Sequence, residues 1–130
     1  MSNLTFVSVR KTFGSNVALH SLDLDVSQGE LVSLLGPSGC GKTTALRIAA
    51  GFETADSGSV FIGCTYITNT APNKRNMGMV FQSYSLFPNL DVSANVEYGL
   101  RTRKVDRSSA RHRVAEMLEL VQLTAHATKY

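Results

Sequence analysis

No stretch of this chain approaches the roughly 18 uninterrupted apolar residues of a membrane-spanning helix. The opening residues, Met1-Ser2-Asn3-Leu4-Thr5, show no basic region followed by an apolar one, so no secretory signal is visible. Cysteine is scarce. Cys40 and Cys64 are too few and too unpatterned for a disulfide framework or a zinc site, and a reduced, cytosolic setting is expected. Charge of one sign is lacking too: 13 basic residues against 10 acidic ones leave +3, which points to no particular partner. His20, His112 and His126 have no metal-ligand spacing, and there is no internal repeat or low-complexity linker. What remains is one domain's worth of chain, 130 residues and 43% hydrophobic, enough for a core.

The first quarter reads as β structure. Leu4, Phe6 and Val9 suggest a short strand, and Leu22-Asp23-Leu24-Asp25-Val26 alternates with period two, as in an antiparallel sheet with one wet face. That alternation explains Asp23 and Asp25 as a solvent face better than as a metal or acid pair. Ser27 to Glu30 is turn chemistry. Leu31-Val32-Ser33-Leu34-Leu35 then predicts a strand buried on both faces, ending at Gly36. From Lys42 a helix is expected, with Ala45, Leu46, Ala49 and Ala50 at helical spacing and Gly51 as its stop. Val60-Phe61-Ile62 is another short strand, and Met77 to Phe81 a further apolar run ending at Gln82. Ser83 to Leu90 is loop. Asp91 caps a helix through about Leu100, and a second follows Asp106 with Ala110, Val114, Met117, Leu118 and Val121 on one stripe. The switch from strands to helices predicts a core over 1–90 and a helical subdomain over 91–130.

The chemistry concentrates in Gly36-Pro37-Ser38-Gly39-Cys40-Gly41-Lys42-Thr43-Thr44, which fits G-x-x-x-x-G-K-[ST]. Backbone N–H groups of such a loop converge on phosphate oxygens, and glycine permits the torsions this needs. The helix beginning at Lys42 adds free N–H groups and its positive dipole end. Lys42 would reach the β and γ phosphates of ATP, and the Thr43 hydroxyl would ligate Mg²⁺. A glycine-rich turn that merely contains Lys-Thr is the bland alternative, and the strand before and helix after argue against it. Cys40 reads either as a redox-sensitive thiol near a helix N-terminus or as a small residue at a permissive position. The second reading is preferred.

Beside that loop stand Lys11-Thr12-Phe13-Gly14 before it and Gly78-Met79-Val80-Phe81-Gln82 after it. Ser83-Tyr84-Ser85-Leu86-Phe87-Pro88 follows, then Val92, Asn95, Val96 and Tyr98-Gly99-Leu100. In this order the chain resembles the first half of the nucleotide-binding subunit of an ABC transporter, of the type serving importers of polyamines, ferric iron, phosphonates, sulfate or sugars. The resemblance implies an α/β fold: part of a P-loop, RecA-like ATPase domain with an antiparallel β subdomain and the start of a helical subdomain. It implies that Phe13 stacks on adenine, that Gly36 to Thr44 hold the phosphates, and that Gln82 contacts Mg²⁺ and the attacking water. Thr43 and Gln82 would then be the metal contacts, and Lys42 and Gln82 the catalytic ones. The region from Tyr84 to Pro88 would face transmembrane permease subunits, a reading preferred to Tyr84 and Phe87 merely anchoring a loop on the core. The resemblance further implies a homodimer in the full-length protein, peripheral at the cytoplasmic face of the inner membrane. One departure is visible: Ala94 stands where such sequences often carry Glu, leaving an incomplete capping box after Asp91.

The basic cluster from Arg101 to Arg113 lacks interleaved aromatics and is broken by Asp106, so it reads as a solvated helix connection and no nucleic-acid partner is expected. The LSGGQ signature, an apolar strand ending Asp-Glu and a switch histidine do not occur. The sequence therefore reads as a truncated N-terminal half that binds MgATP weakly and hydrolyses it negligibly by itself. Other readings are a soluble ABC ATPase acting on DNA or ribosomes, a P-loop kinase or GTPase, and a non-catalytic fragment.

Overall fold

The computed structural model describes residues 3–83 and 86–130. The chain divides into two compact units, Met1–Val80 and Phe81–Tyr130.

The first unit is built on an antiparallel sheet. Strand β1 (Leu4–Phe13) turns at Gly14, in the left-handed region, into β2 (Asn16–Val26). After helix α1 (Lys42–Ala50), β3 (Ser57–Ile62) pairs with the other side of β1, and the short β4 (Thr65–Tyr66) completes the order β2-β1-β3-β4. Phe6 and Val9 are both buried although three residues apart, a separation that would place them on opposite faces of a regular strand. A bulge resolves this. The register shifts between Phe6 and Val9, Ser8 takes φ 47°, and the Ser8 N–H donates to the Asp23 carboxylate at 2.7 Å. Asp25 likewise accepts from the Thr5 hydroxyl at 2.7 Å, so both aspartates tie β1 to β2. The bulge sets Phe6, Val9 and Lys11 on the buried side, where Phe6 and Val9 join Val60, Ala45, Ile48 and Ala49 in the core.

Helix α1 runs as expected, with its C-terminal Gly51 at φ 83°. Its buried residues are Ala45, Ile48, Ala49 and Ala50; Leu46 is exposed. Its last carbonyls meet Arg75, a buried guanidinium that donates to Ile48 O (2.7 Å), Ala49 O (2.9 Å), Thr68 O (2.9 Å) and Thr70 O (2.7 Å). No carboxylate balances this charge in those contacts. The negative end of the helix dipole and four carbonyls hold it instead.

The strand expected at 31–35 does not form among the described residues, nor is the apolar run 77–80 in a strand, and Leu31, Leu35 and Val80 are 94%, 91% and 99% exposed. Only Leu34 and Met77 of these runs pack on the core. An extended apolar run becomes a strand only when a neighbour satisfies its backbone, and among the described residues neither run joins the order β2-β1-β3-β4.

The second unit holds α2 (Val92–Thr102), α3 (Arg107–Leu120) and a 3₁₀ turn at Thr124–His126. Asp91 caps α2 by accepting from Ala94 N at 2.7 Å, while the N–H groups of Val92 and Ser93 donate to Lys129 O and Ala127 O. Asp106 caps α3 through Ser108 N and Ser109 N. Ala110, Val114 and Leu118 form the buried stripe, whereas Val121 is exposed. Asn95 staples the preceding loop: its side chain accepts from Phe87 N and donates to Leu90 O and Asp91 O.

Candidate functional site

The segment from Gly36 to Thr44 lies in the first unit, wrapped around the start of α1. Three of its glycines, Gly36, Gly39 and Gly41, have φ of 152°, 83° and 90°. Gly41 is the constrained one. A β-carbon there would collide with the Ala18 carbonyl oxygen and lie 2.7 Å from Leu19 Cδ2, so β2 and α1 meet through a glycine backbone. Within the loop the Lys42 ammonium donates to the carbonyl oxygens of Gly36 (2.7 Å) and Pro37 (2.6 Å) and lies 3.2 Å from Cys40 Sγ. The lysine thus closes the loop on itself.

Helix α1 differs from its two companions at its N-terminus. Asp91 and Asp106 cap α2 and α3, but Gly41 offers α1 no side-chain cap. The first-turn N–H groups of α1 therefore have no side-chain cap, and Thr43 is exposed at the same turn. Such a donor set suits an oxyanion: backbone N–H groups, the helix dipole and one point charge. The Thr43 hydroxyl is a hard oxygen donor of the kind Mg²⁺ takes.

Phe13 ends β1 opposite Asn16, two residues from the Ala18 that abuts Gly41, and is 48% exposed. The Lys11 ammonium sits over its ring at 5.1 Å from the centroid. Lys11 itself is buried and paired with Glu53 at 2.7 Å and Asp56 at 3.3 Å. Its pKa is raised, chiefly by the hydrogen bond to Glu53 acting against burial, and that of Glu53 is lowered by the same bond. Asp56 is lowered chiefly by the Thr12 hydroxyl and backbone N–H, both of which it accepts. Nothing local in the sequence marks Glu53 or Asp56 as partners of Lys11. Lys11 itself stands in the motif Lys11-Thr12-Phe13-Gly14, where only the aromatic drew a role.

Gln82 belongs to the second unit, exposed in a bend. Tyr84 and Ser85 lie outside the described residues. Phe87 packs its ring on Tyr98 with centroids 4.3 Å apart, so it anchors the loop on α2 while remaining partly exposed. Among the described residues, no cluster of three or more His, Cys, Asp or Glu is placed to hold a metal ion, and no helix is long and apolar enough to cross a membrane.

The chain is 50% identical over 124 residues to the spermidine/putrescine import ATP-binding protein PotA of Thermobifida fusca, matching 92% of this chain and 32% of that protein. It is 46% identical to the Fe(3+) ions import ATP-binding protein FbpC of Photobacterium profundum, over 100% of this chain and 38% of that one. The chain spans about a third of the length of these curated relatives. Among solved structures, a bacterial ABC transporter cassette described as dimeric superposes with a TM-score of 0.85 at 29% identity, over 96% of this chain and 60% of that chain. An ATP-binding cassette of an ABC transporter does so with 0.80 at 25%, over 99% and 57%. The model of the ABC transporter family matches residues 19–130, a span that includes the glycine loop, and the chain belongs to that family.

Proposed function

We propose that this chain is the nucleotide-holding part of the ATP-binding subunit of an ABC importer. The observation that carries the proposal is the loop from Gly36 to Thr44, closed on the Lys42 ammonium and opening onto an uncapped helix start. Relatives named for import of polyamines and ferric iron support the importer reading. In this reading Gly36, Pro37, Ser38, Gly39, Cys40 and Gly41 cradle the phosphates with their backbone, and the N–H groups of Thr43 and Thr44 extend that cradle. Lys42 binds the phosphate oxygens by exchanging one of its loop carbonyls for them. The Thr43 hydroxyl would hold Mg²⁺, which when bound offsets phosphate charge, and the Gln82 amide oxygen is a hard donor of the kind that ion takes. Phe13 supplies an apolar platform for the adenine, and Gln82 orients water.

Binding and turnover separate on these residues. A cradle, an ammonium and a hydroxyl can hold a triphosphate, but phosphoryl transfer is mostly positioning and electrostatics, which these groups supply only in part. Docking to permease subunits through the region around Tyr84 to Pro88, homodimer formation and a peripheral place at the cytoplasmic face of the inner membrane complete the proposal. The dimeric cassette among the similar structures is consistent with the second of these. The test is calorimetric titration with MgATP of the intact protein and of K42A. Saturable binding that Lys42→Ala weakens is expected; equal binding by both would remove the loop from the site. Co-purification with a polytopic membrane protein, rather than with nucleic acid, is the expected result for the partner.

A further inference from the structure

Lys11 is a buried ammonium with no place in phosphate chemistry. It bonds Glu53, which follows the C-terminus of α1, and Asp56, which precedes β3. Asp56 fixes the end of β1 closely: its backbone N–H donates to Arg10 O at 2.9 Å, and its carboxylate accepts from the N–H and hydroxyl of Thr12. Three successive residues, Arg10, Lys11 and Thr12, are thus anchored immediately before Phe13. The ammonium then lies over the Phe13 ring, and Phe13 remains half-exposed.

We propose that Lys11 is a positioning residue for the Phe13 ring, and that the Glu53–Lys11–Asp56 tether sets how strongly this chain prefers a purine triphosphate to a bare triphosphate. The inference rests on the reading of Phe13 as the base platform. Two physical effects act together. The tether holds the ring in one pose before the base arrives, so less side-chain freedom is lost on stacking. The ammonium also draws the ring's electron density toward its own side, which lowers the repulsion between that ring and the π-cloud of a stacked base.

The test compares dissociation constants for MgATP and for magnesium tripolyphosphate, measured by calorimetry on the intact protein. Lys11→Met keeps the apolar stem and removes the charge. It is expected to weaken MgATP about five- to tenfold while leaving tripolyphosphate within about twofold. Lys11→Arg, which keeps a cation over the ring, is expected to recover most of the loss. Phe13→Ala reads the platform separately. If it leaves the ratio of the two constants unchanged, the platform reading fails and this inference with it. If F13A collapses the ratio and K11M does not, the platform stands and the role of Lys11 is overturned. A purely structural Lys11 would weaken both ligands alike, which also overturns the proposal. Should K11M fail to fold, E53Q, which loosens the tether and leaves the charge in place, is expected to lower the same ratio in the same direction, and an unchanged ratio there refutes it.

Discussion

The Lys42 ammonium and the Gly36 carbonyl oxygen stand 2.7 Å apart, joining the last part of the glycine loop to its first residue. With Pro37 O at 2.6 Å, this contact shapes the loop from within. Lysine suits both duties because its three rotatable donors can keep one loop carbonyl while turning another toward an oxyanion.

Replacing Lys42 with alanine should therefore remove a charge-assisted contact and loosen the loop. Each effect weakens any triphosphate regardless of its base. A loss of about 1.5–3 kcal/mol is expected for MgATP and magnesium tripolyphosphate alike, with little change in melting temperature because Lys42 is only half-buried. Parallel titrations check it. A loss confined to MgATP would mean that Lys42 acts on something other than phosphate.

Gly41→Ala tests the junction between β2 and α1. An alanine at φ 90° costs about 1–2 kcal/mol in backbone strain alone. Its β-carbon would also meet the Ala18 carbonyl, a backbone atom that cannot swing aside. The expected result is a destabilisation of about 2 kcal/mol or more, read as a lowered urea midpoint, together with loss of tripolyphosphate binding. By contrast, Gly39 has open space around it, and G39A there should show the torsional cost without the collision.

The glycine loop was legible because its information is local: a contiguous motif whose residue types state their own backbone requirements. The two helices of the second unit were legible for a similar reason, since Asp91 and Asp106 announce their caps. The strand alternation of Leu22 to Val26 also carried through, and it accounts for Asp23 and Asp25. Residues 31–35 show where this stops. Apolarity says that a segment seeks burial, but only a pairing neighbour makes it a strand, and among the described residues this segment joins no sheet. The bulge at Ser8 escaped for another reason. Phe6 and Val9 obey no simple period until the extra residue is counted. Lys11 and Arg75 were opaque because their partners are distant in sequence and meet them only after α1 has packed on the sheet.

Arg75 is the sharper case, since it stands among polar residues in Asn73-Lys74-Arg75-Asn76 yet is buried. Arg75→Met keeps most of the volume but takes a donor from the carbonyls of Ala49, Thr68 and Thr70, while Ile48 O keeps the Gly51 N–H. Unsatisfied buried acceptors cost about 1–3 kcal/mol each, less whatever water regains. A destabilisation of about 3 kcal/mol is expected, visible as a lower thermal midpoint. Arg75→Lys should recover only part of it, because an ammonium cannot span acceptors arranged for a planar fork. A lysine variant as stable as the parent would mean that charge alone matters at this site.

Acid stability should depend on the Lys11 cluster, with a sign that follows from its pKa shifts. Glu53 and Asp56 are held below their ordinary values of 4.5 and 3.8 in the folded chain. The unfolded chain thus takes up protons first as pH falls. Their contribution is complete above about pH 4.5 and fades as pH drops through the folded-state values. Lys11 is raised above 10.5, so its share is complete below that pH and is lost as pH rises through the folded-state value. Both sides of the cluster are therefore charged across the neutral range, which is where the Phe13 ring is held most firmly. The measurement is the urea midpoint of the intact protein and of Glu53→Gln, taken every half unit from pH 7 to pH 3. The glutamine variant should start lower at pH 7 and fall less steeply below pH 5, so that the two curves converge in acid. Curves that stay parallel would show that the Glu53 carboxylate is equally free in the folded and unfolded chain, and that Lys11 draws its hold on β1 from Asp56 alone.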